Sequence, residues 1–371
     1  MRDIASKQMK NSDLINYCIQ NSIPFVSYRL PSENDTTTLA GGCFVSDPEE
    51  RKHDIRFVIA PFDALSEKTR FYIPEIILAG KESETDKLPN FVNETTQTQT
   101  ESAPVVSGFN SYINQAEYLI EEMKNDKLQK VVLSRVMEYV PDCQIDPIKL
   151  FQNACDRNPK AFVYLFSAAE GSYWLGATPE TLLKTEAGKG FTMALAGTQR
   201  IDNQLDTEFN WGNKEIHEHE YVSQFIENTL LDCSVENLVR DETKTVSAGK
   251  VAHLQTAFNF RIPDNISISE IAQALHPTPA VCGVPTSEAR KRILEVEKHK
   301  RSLYTGFLGP FIPKESCQLF VNLRCMQIIG DKIYIYVGGG LTAASDPQQE
   351  WNETEWKSDT MLSLFEEAGL I

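Results

Sequence analysis

Phe162-Val-Tyr-Leu-Phe-Ser-Ala-Ala-Glu-Gly-Ser-Tyr-Trp-Leu-Gly-Ala-Thr-Pro-Glu-Thr-Leu-Leu-Lys-Thr-Glu-Ala-Gly-Lys-Gly-Phe-Thr-Met-Ala-Leu195 decides the fold class of this chain. Four short apolar runs follow one another here: Phe162–Ser167, Tyr173–Gly176, Thr181–Lys184 and Phe191–Leu195. Each reads as a strand, since it is too short for a helix and its apolar residues lack helical spacing. Before them, Ser111–Asn125 has helical spacing and Lys130–Val140 reads as a strand. After them, 214–231 returns to helical spacing, Val251–Phe260 is strand-like and Ser269–Leu275 is a short helix. Pro285-Thr286 opens a further helix to about His299, with Thr286 as its N-cap. Strands near Gln318–Ile329 and Lys332–Val337 and a helix over Gln349–Glu367 complete the chain. Residues 11–22 suggest a helix, Ile55–Ala60 and Phe71–Leu78 strands. Runs of strands with helices grouped between them indicate an α+β protein rather than βαβ alternation.

A length of 371 residues suggests two or three domains, although sheet-rich folds exceed that rule as one unit. The composition, 41% hydrophobic and 24% charged, is that of a globular protein with a sizeable core. Residues 82–104 are rich in Glu, Ser, Thr, Gln and Asn and read as a polar loop. The loop divides an N-terminal part, 1–104, from a region, 105–371, that carries the chemistry. No apolar run is long enough to span a membrane and the N-terminus lacks a signal-peptide core, so cytoplasm is the expected location. The eight cysteines contain no C-x-x-C pair, against a zinc site or a disulfide framework. They read as small, half-buried hydrophobes. A net charge of −16 argues against nucleic acid and anionic membrane as partners. An anionic substrate would need a local cation, from Lys, Arg or a metal ion.

Glu215-x-x-Glu218 and Glu350-x-x-Glu353 lie in two helical segments far apart in sequence. Spacing of three puts each pair on one helical face. Two such faces together would hold a hard divalent cation such as Mg²⁺ through oxygen. The same spacing occurs on solvated helices, so spacing alone leaves both readings open. His217 and His219 diverge on a helix and cannot share one metal. Lys130 opens an apolar strand, where a lysine is either a solvated strand end or a base in a closed pocket. Glu180 is either a turn residue or an acid whose pKa burial raises. Arg324, read within the apolar strand Leu319–Met326, requires an acidic partner. Gly338-Gly339-Gly340 reads as a tight turn or an anion nest after a strand.

In this order, these segments resemble the chorismate-utilising enzymes, and among them the isochorismate synthases. The matching stretches are Lys130–Arg135, Leu175–Glu180, Leu195–Thr198, Glu215–Glu220, His276–Gly283, Tyr304–Gly306, Leu323-Arg324, Gly338–Leu341 and Glu350–Lys357. They cover about two-thirds of the chain, and residues 1–100 match only loosely. The resemblance implies a large two-sheet α/β/β/α sandwich enclosing one active site. It implies Mg²⁺ held chiefly by Glu218 and Glu353, with Glu215 and Glu350 as further ligands or partners through water. The ion would bind the ring carboxylate of chorismate. Arg324, Tyr304 and the backbone of Gly338, Gly339 and Gly340 would hold the enolpyruvyl carboxylate. Lys357 would be a charge partner to the glutamates, and Gly197, Thr198 and Ala280 would border the substrate.

Three positions separate the chemistries within that family. Lys130, the family's base for water, is changed in members that use ammonia, so no glutaminase subunit is expected. Ala194–Thr198 lacks the nucleophilic lysine of one aminodeoxychorismate synthase type. Ala280 stands where pyruvate-eliminating members commonly have threonine. The resemblance therefore implies water attack at C2 with Lys130 as base, and loss of the C4 hydroxyl with Glu180 as acid. Salicylate synthase is the nearest rival, ahead of an amination enzyme and of an inactive scaffold. Menaquinone is the expected pathway, as the widespread use of isochorismate, with siderophore and salicylate supply as the others. Similar enzymes are monomers or weak homodimers.

Overall fold

In the computed structural model, residues 10–47, 51–80, 102–125, 128–169, 171–200, 209–248 and 251–370 are described. Most of the sequence-read loop 82–104, including its Thr/Gln run, lies outside them, as does the extreme N-terminus. Two sheets organise the chain, and every strand pairing in them is antiparallel. The first has nine strands, running from Gly283–Val284 at one edge through Lys130–Tyr139, Lys332–Leu341, Cys325–Ile329, Ser172–Thr178 and Phe162–Ala169. It ends on Phe25–Arg29, Thr37–Ala40 and Ile76–Ala79. The second has ten, from Glu236–Arg240 through Val251–Arg261, Lys189–Arg200, Thr181–Glu186, Ser316–Val321 and Phe307–Ile312. It ends on Phe57–Ala60, Arg70–Ile73 and Cys43–Val45, with Lys244–Ala248 branching onto Val251–Arg261. Residues 25–79 thus supply three strands to the far end of each sheet.

Among the described residues seven helices cover the sheets: α1 (Asn11–Gln20), α2 (Phe109–Lys124), α3 (Pro147–Arg157), α4 (Asn213–Asp232), α5 (Ile268–Leu275), α6 (Thr286–Val296) and α7 (Pro347–Ala368). Helices α1, α3 and α7 bury Leu14, Leu150 and Leu364 against the outer face of the first sheet. Helices α4 and α5 bury Val222, Ile226 and Ile271 against the second. Between the sheets lies an aromatic layer in which Phe162 stacks on Phe320 at 4.2 Å and Trp174 on Tyr336 at 5.2 Å. Side chains alternate across each strand, so residues buried on both faces are what a two-sheet sandwich requires. The fold is the α+β, α/β/β/α arrangement read from the sequence. No described helix is long and apolar enough to cross a membrane.

Four short crossings carry the chain from one sheet to the other, at Gly41-Gly42, Pro74-Glu75, Pro179-Glu180 and Asn322-Leu323-Arg324. Two of them correct the sequence reading. Phe71–Leu78 is not one strand: Arg70–Ile73 belongs to the second sheet and Ile76–Ala79 to the first. Likewise the apolar run Gln318–Ile329 divides between the sheets, so Arg324 lies outside a strand, at the crossing, with φ +48°. Apolar residues flank both breaks, and a hydrophobic run cannot report a change of sheet. Two smaller corrections concern ends and exposure. Pro285 is the N-cap of α6, Thr286 is its first residue and its hydroxyl donates to Gly283 O, and the helix stops at Val296. Of the cysteines, Cys18, Cys282, Cys317 and Cys325 are fully buried and Cys143 is exposed; none of the eight is in a disulfide.

Candidate active site

The crossings Pro179-Glu180 and Asn322–Arg324 run side by side. Val321 N donates to Glu180 O at 3.0 Å, Thr178 Oγ1 to Val321 O at 2.6 Å and Ala177 N to Arg324 O at 3.0 Å. Asn322 ties them to a third segment, with its amide donating to Leu303 O at 2.8 Å and its carbonyl oxygen accepting from Tyr164 at 2.6 Å. Beside these crossings opens a cleft whose wall includes Lys130, Glu180, Gly197, Thr198, Glu215, Glu218, Ala280, Tyr304, Arg324, Gly338, Gly340, Glu353 and Lys357. Of the site residues implied by the resemblance, Glu350 and Gly339 are not in that wall; a Cβ on Gly339 would lie 3.4 Å from Glu350 Oε2.

Lys130 begins the Lys130–Tyr139 strand, and its side chain is 3% exposed. Its Nζ lies 3.7 Å from Glu218 Oε2. Glu180 is also buried, and burial pushes its carboxyl up to about 8, with Lys130 opposing the shift. Near neutral pH this carboxyl therefore holds its proton. Tyr304 stacks on Tyr336 at 5.7 Å, and burial raises its phenol. Arg324 Nη1 donates to Lys357 O at 3.1 Å, and burial lowers its pKa from the ordinary guanidinium value.

The acidic side comes from two helices. On α7, capped by Asp346 onto Gln349 N, residues Glu350, Glu353 and Lys357 share one face. On α4, Lys214 and Glu218 are one turn apart. Lys214 Nζ lies 2.8 Å from Glu350 Oε1 and 4.0 Å from Glu218 Oε1. Lys357 Nζ lies 2.6 Å from Glu353 Oε1 and donates to Gly338 O at 3.0 Å. Glu350 nevertheless titrates above the ordinary carboxylate value, because burial and the like charge of Glu353 outweigh Lys214. Burial also pushes Glu353 up, but Lys357, Lys214 and Arg324 together hold it below that value. Glu350 Oε2 is buried without a hydrogen-bond partner. Glu215, at the third position of α4, directs its carboxylate back over Gly212, where a Cβ would lie 2.6 Å from Oε2.

Gly338–Gly340 is neither a turn nor a nest. The three residues lie within the Lys332–Leu341 strand, opposite Ser134, Leu133 and Val132. A nest needs successive residues of opposite-handed helical conformation, whereas these are extended and bound into a ladder. Their glycine character serves close approach instead. A Cβ on Gly339 would lie 3.4 Å from Glu350 Oε2 and 3.8 Å from Glu353 Oε1, and one on Gly340 3.0 Å from Lys130 Cε and 3.4 Å from Glu218 Oε2. Glu350, Glu353 and Glu218 therefore pack directly on bare backbone. Gly197, at φ +73°, makes a bulge between Ala196 and Thr198 that lets α4 approach the strand.

Two cleft residues escaped the sequence reading. Lys214 precedes Glu215 and was legible as Glu218's i−4 partner. His253, within a strand, donates from Nδ1 to Gly197 O at 2.9 Å, and burial lowers it to about 4, so it is neutral near pH 7. His217 is exposed and His219 is buried against Thr256 at 2.7 Å, away from any shared metal.

The profile of the family described as chorismate binding enzyme matches residues 57–366. The chain belongs to the chorismate-binding enzyme family. Isochorismate synthase EntC of Escherichia coli is 31% identical over 245 residues, a match spanning 64% of this chain and 63% of that protein. The vibriobactin-specific isochorismate synthase of Vibrio cholerae is 27% identical over 328 residues, 85% of this chain and 80% of that one. Among solved structures, DhbC from Bacillus anthracis superposes with a TM-score of 0.78 at 26% identity, covering 94% of this chain and 96% of that one. The menaquinone-specific isochorismate synthase MenF of Escherichia coli, 20% identical, shares the fold with a TM-score of 0.77, over 92% and 88% of the two chains.

Proposed function

We propose that this chorismate-binding protein is an isochorismate synthase dependent on Mg²⁺. The observation that carries the reading is a buried carboxylic acid, Glu180, held protonated in the same cleft as a buried lysine, Lys130. As the free amine, Lys130 takes a proton from water, which attacks C2 of the chorismate ring, and the proton it gains later restores Glu180. The ring double bonds shift, and Glu180 gives its proton to the departing C4 hydroxyl, so one water enters and one leaves. Each transfer contributes about 10²–10⁴ in rate. Arg324 and Tyr304 receive the enolpyruvyl carboxylate, and the lysines offset the charge of a dianion.

The donor set suits a hard cation: Glu218, Glu350 and Glu353, on two helices, would hold it through oxygen, and Glu350 Oε2 is buried with no partner. Among the described residues no three acidic groups already converge on one point. Lys214, bound to Glu350 and beside Glu218, now supplies the positive charge there. Glu215 would take part only through water. When bound, Mg²⁺ would orient the ring carboxylate and neutralise its charge.

Water as nucleophile leaves no role for a glutaminase subunit, and the proposed unit is a monomer or weak homodimer in the cytoplasm. Menaquinone is the destination taken for the product, and complementation of a menaquinone-deficient strain lacking isochorismate synthase tests it. The enzymatic test is incubation with chorismate and Mg²⁺, with products separated and weighed by mass spectrometry. A Mg²⁺-dependent product of unchanged mass and altered retention supports the proposal. Salicylate with pyruvate would assign a salicylate synthase instead, and no turnover would refute both.

A further inference from the structure

The strand that carries Lys130 has two very different edges. On one side Lys332–Leu341 pairs with it from Val131 to Tyr139. On the other, Gly283–Val284 covers only Val131 and Lys130. An open edge would leave buried N–H and C=O groups without partners. Here Val132 N donates to Cys282 O at 2.8 Å. Val132 O instead accepts from Arg301 Nη2 at 2.7 Å, and Ser134 N donates to Glu297 Oε1 at 2.7 Å. Arg301 Nη2 and Glu297 Oε1 are themselves 2.6 Å apart. One ion pair thus presents a donor and an acceptor to the strand, as a neighbouring strand would.

The same guanidinium reaches two other parts of the cleft wall. Arg301 Nη1 donates to Val281 O at 2.8 Å, next to Ala280, and to Thr305 Oγ1 at 3.3 Å, next to Tyr304. Its face lies over the Phe62 ring at 4.4 Å. Glu297 is brought in by the end of α6: the residue is extended, with ψ 128°, and turns its carboxylate toward the strand. Burial opposes its ionisation, but Arg301 keeps its pKa below the ordinary carboxylate value. Both side chains are 2% exposed and neither borders the cleft.

We propose that Arg301 and Glu297 are a positioning pair that substitutes for an edge strand beside Lys130 and fixes the base relative to the Ala280 and Tyr304 segments. Its effect on catalysis rests on the proposed isochorismate synthase reading; its effect on the strand does not. A buried ion pair that served stability alone could be replaced by apolar residues with little loss. This one makes directional bonds to two backbone segments and to the Thr305 hydroxyl, which apolar residues cannot make.

The test uses the full chain with two variants, the double substitution Glu297→Leu/Arg301→Met and the single Arg301→Lys. In the double variant, exchange of the Ser134 amide in deuterated water should quicken at least tenfold. Its kcat with chorismate and Mg²⁺, per folded molecule, should fall at least tenfold. Arg301→Lys keeps the charge for Glu297 and loses the fork. It should melt near the wild-type temperature with a kcat between the other two, and it decides the matter if the double variant does not fold. Wild-type kcat per folded molecule in every variant that folds, or unchanged Ser134 protection in a folded double variant, overturns the proposal. If the wild-type protein makes no isochorismate, the functional reading fails, and the exchange experiment still decides whether the pair replaces a strand.

Discussion

Glu180 and Glu297 are both glutamates with almost fully buried side chains near the strand that begins at Lys130, yet one is neutral and the other an anion. Glu180 sits at a sheet crossing, where burial lifts its pKa to about 8. Glu297 meets the same burial, but Arg301 and the hydroxyl and amide of Ser134 stabilise its anion. Desolvation is common to the two; hydrogen-bond donors are not. A carboxyl left without donors is a proton source, and one surrounded by donors is a structural brace.

The comparison can be broken most forcefully at the cleft. Lys130→Ala and Glu180→Gln should each lower kcat by about 10²–10⁴ while chorismate binding, measured by calorimetry, changes little. Loss of binding instead would make both residues structural. At the edge of the strand, Glu297→Leu alone strands the Arg301 charge and should lower unfolding free energy by about 3–5 kcal/mol in urea titrations. Glu180→Gln, replacing a neutral acid by a neutral amide, should cost far less at pH 7.

Proton linkage gives the two residues opposite signs. Between the ordinary carboxylate value of 4.5 and about 8, folded Glu180 holds a proton that the unfolded chain has released. Its contribution to stability therefore falls as pH rises through that window and is constant above it. Urea unfolding of wild type and Glu180→Gln from pH 5 to 9 should diverge in favour of the variant by a few kcal/mol, levelling above about 8. Glu297, with its pKa depressed, contributes stability above the ordinary value and loses it as pH falls through its folded pKa. The kcat of the wild type should decline above about pH 8, where Glu180 loses its proton. The smallest effect is expected at Gly339→Ala, whose Cβ would lie 3.4 Å from Glu350 Oε2. A few-fold weaker Mg²⁺ affinity with little change in melting is the expected result, and an unchanged affinity would remove Glu350 from the ligand set.

Much of the architecture was legible in local pattern. The strands around Phe162–Leu195, the helices α2, α4 and α7 and the paired glutamates all follow from periodicity. The errors cluster where the chain changes sheets. Phe71–Leu78 and Gln318–Ile329 read as single strands because both halves are apolar, although Pro74 and Arg324 stand at the breaks. Phe307–Ile312 contains Gly309 and Pro310 and gave no strand signal, yet it pairs with strands on both sides. His253 was invisible as a site residue because a single histidine in an apolar strand reads as core.

The sequence by itself determined which side chains could do chemistry, because residue type and helical spacing are local properties. It put Glu350, Glu353 and Lys357 on one face, and left Lys130 and Glu180 each with two readings. Tertiary structure buried both in one cleft rather than leaving them solvated. Whether a carboxyl is an acid or a brace depends on how many donors reach it after burial. Those donors come from residues as distant in sequence as Ser134 is from Glu297.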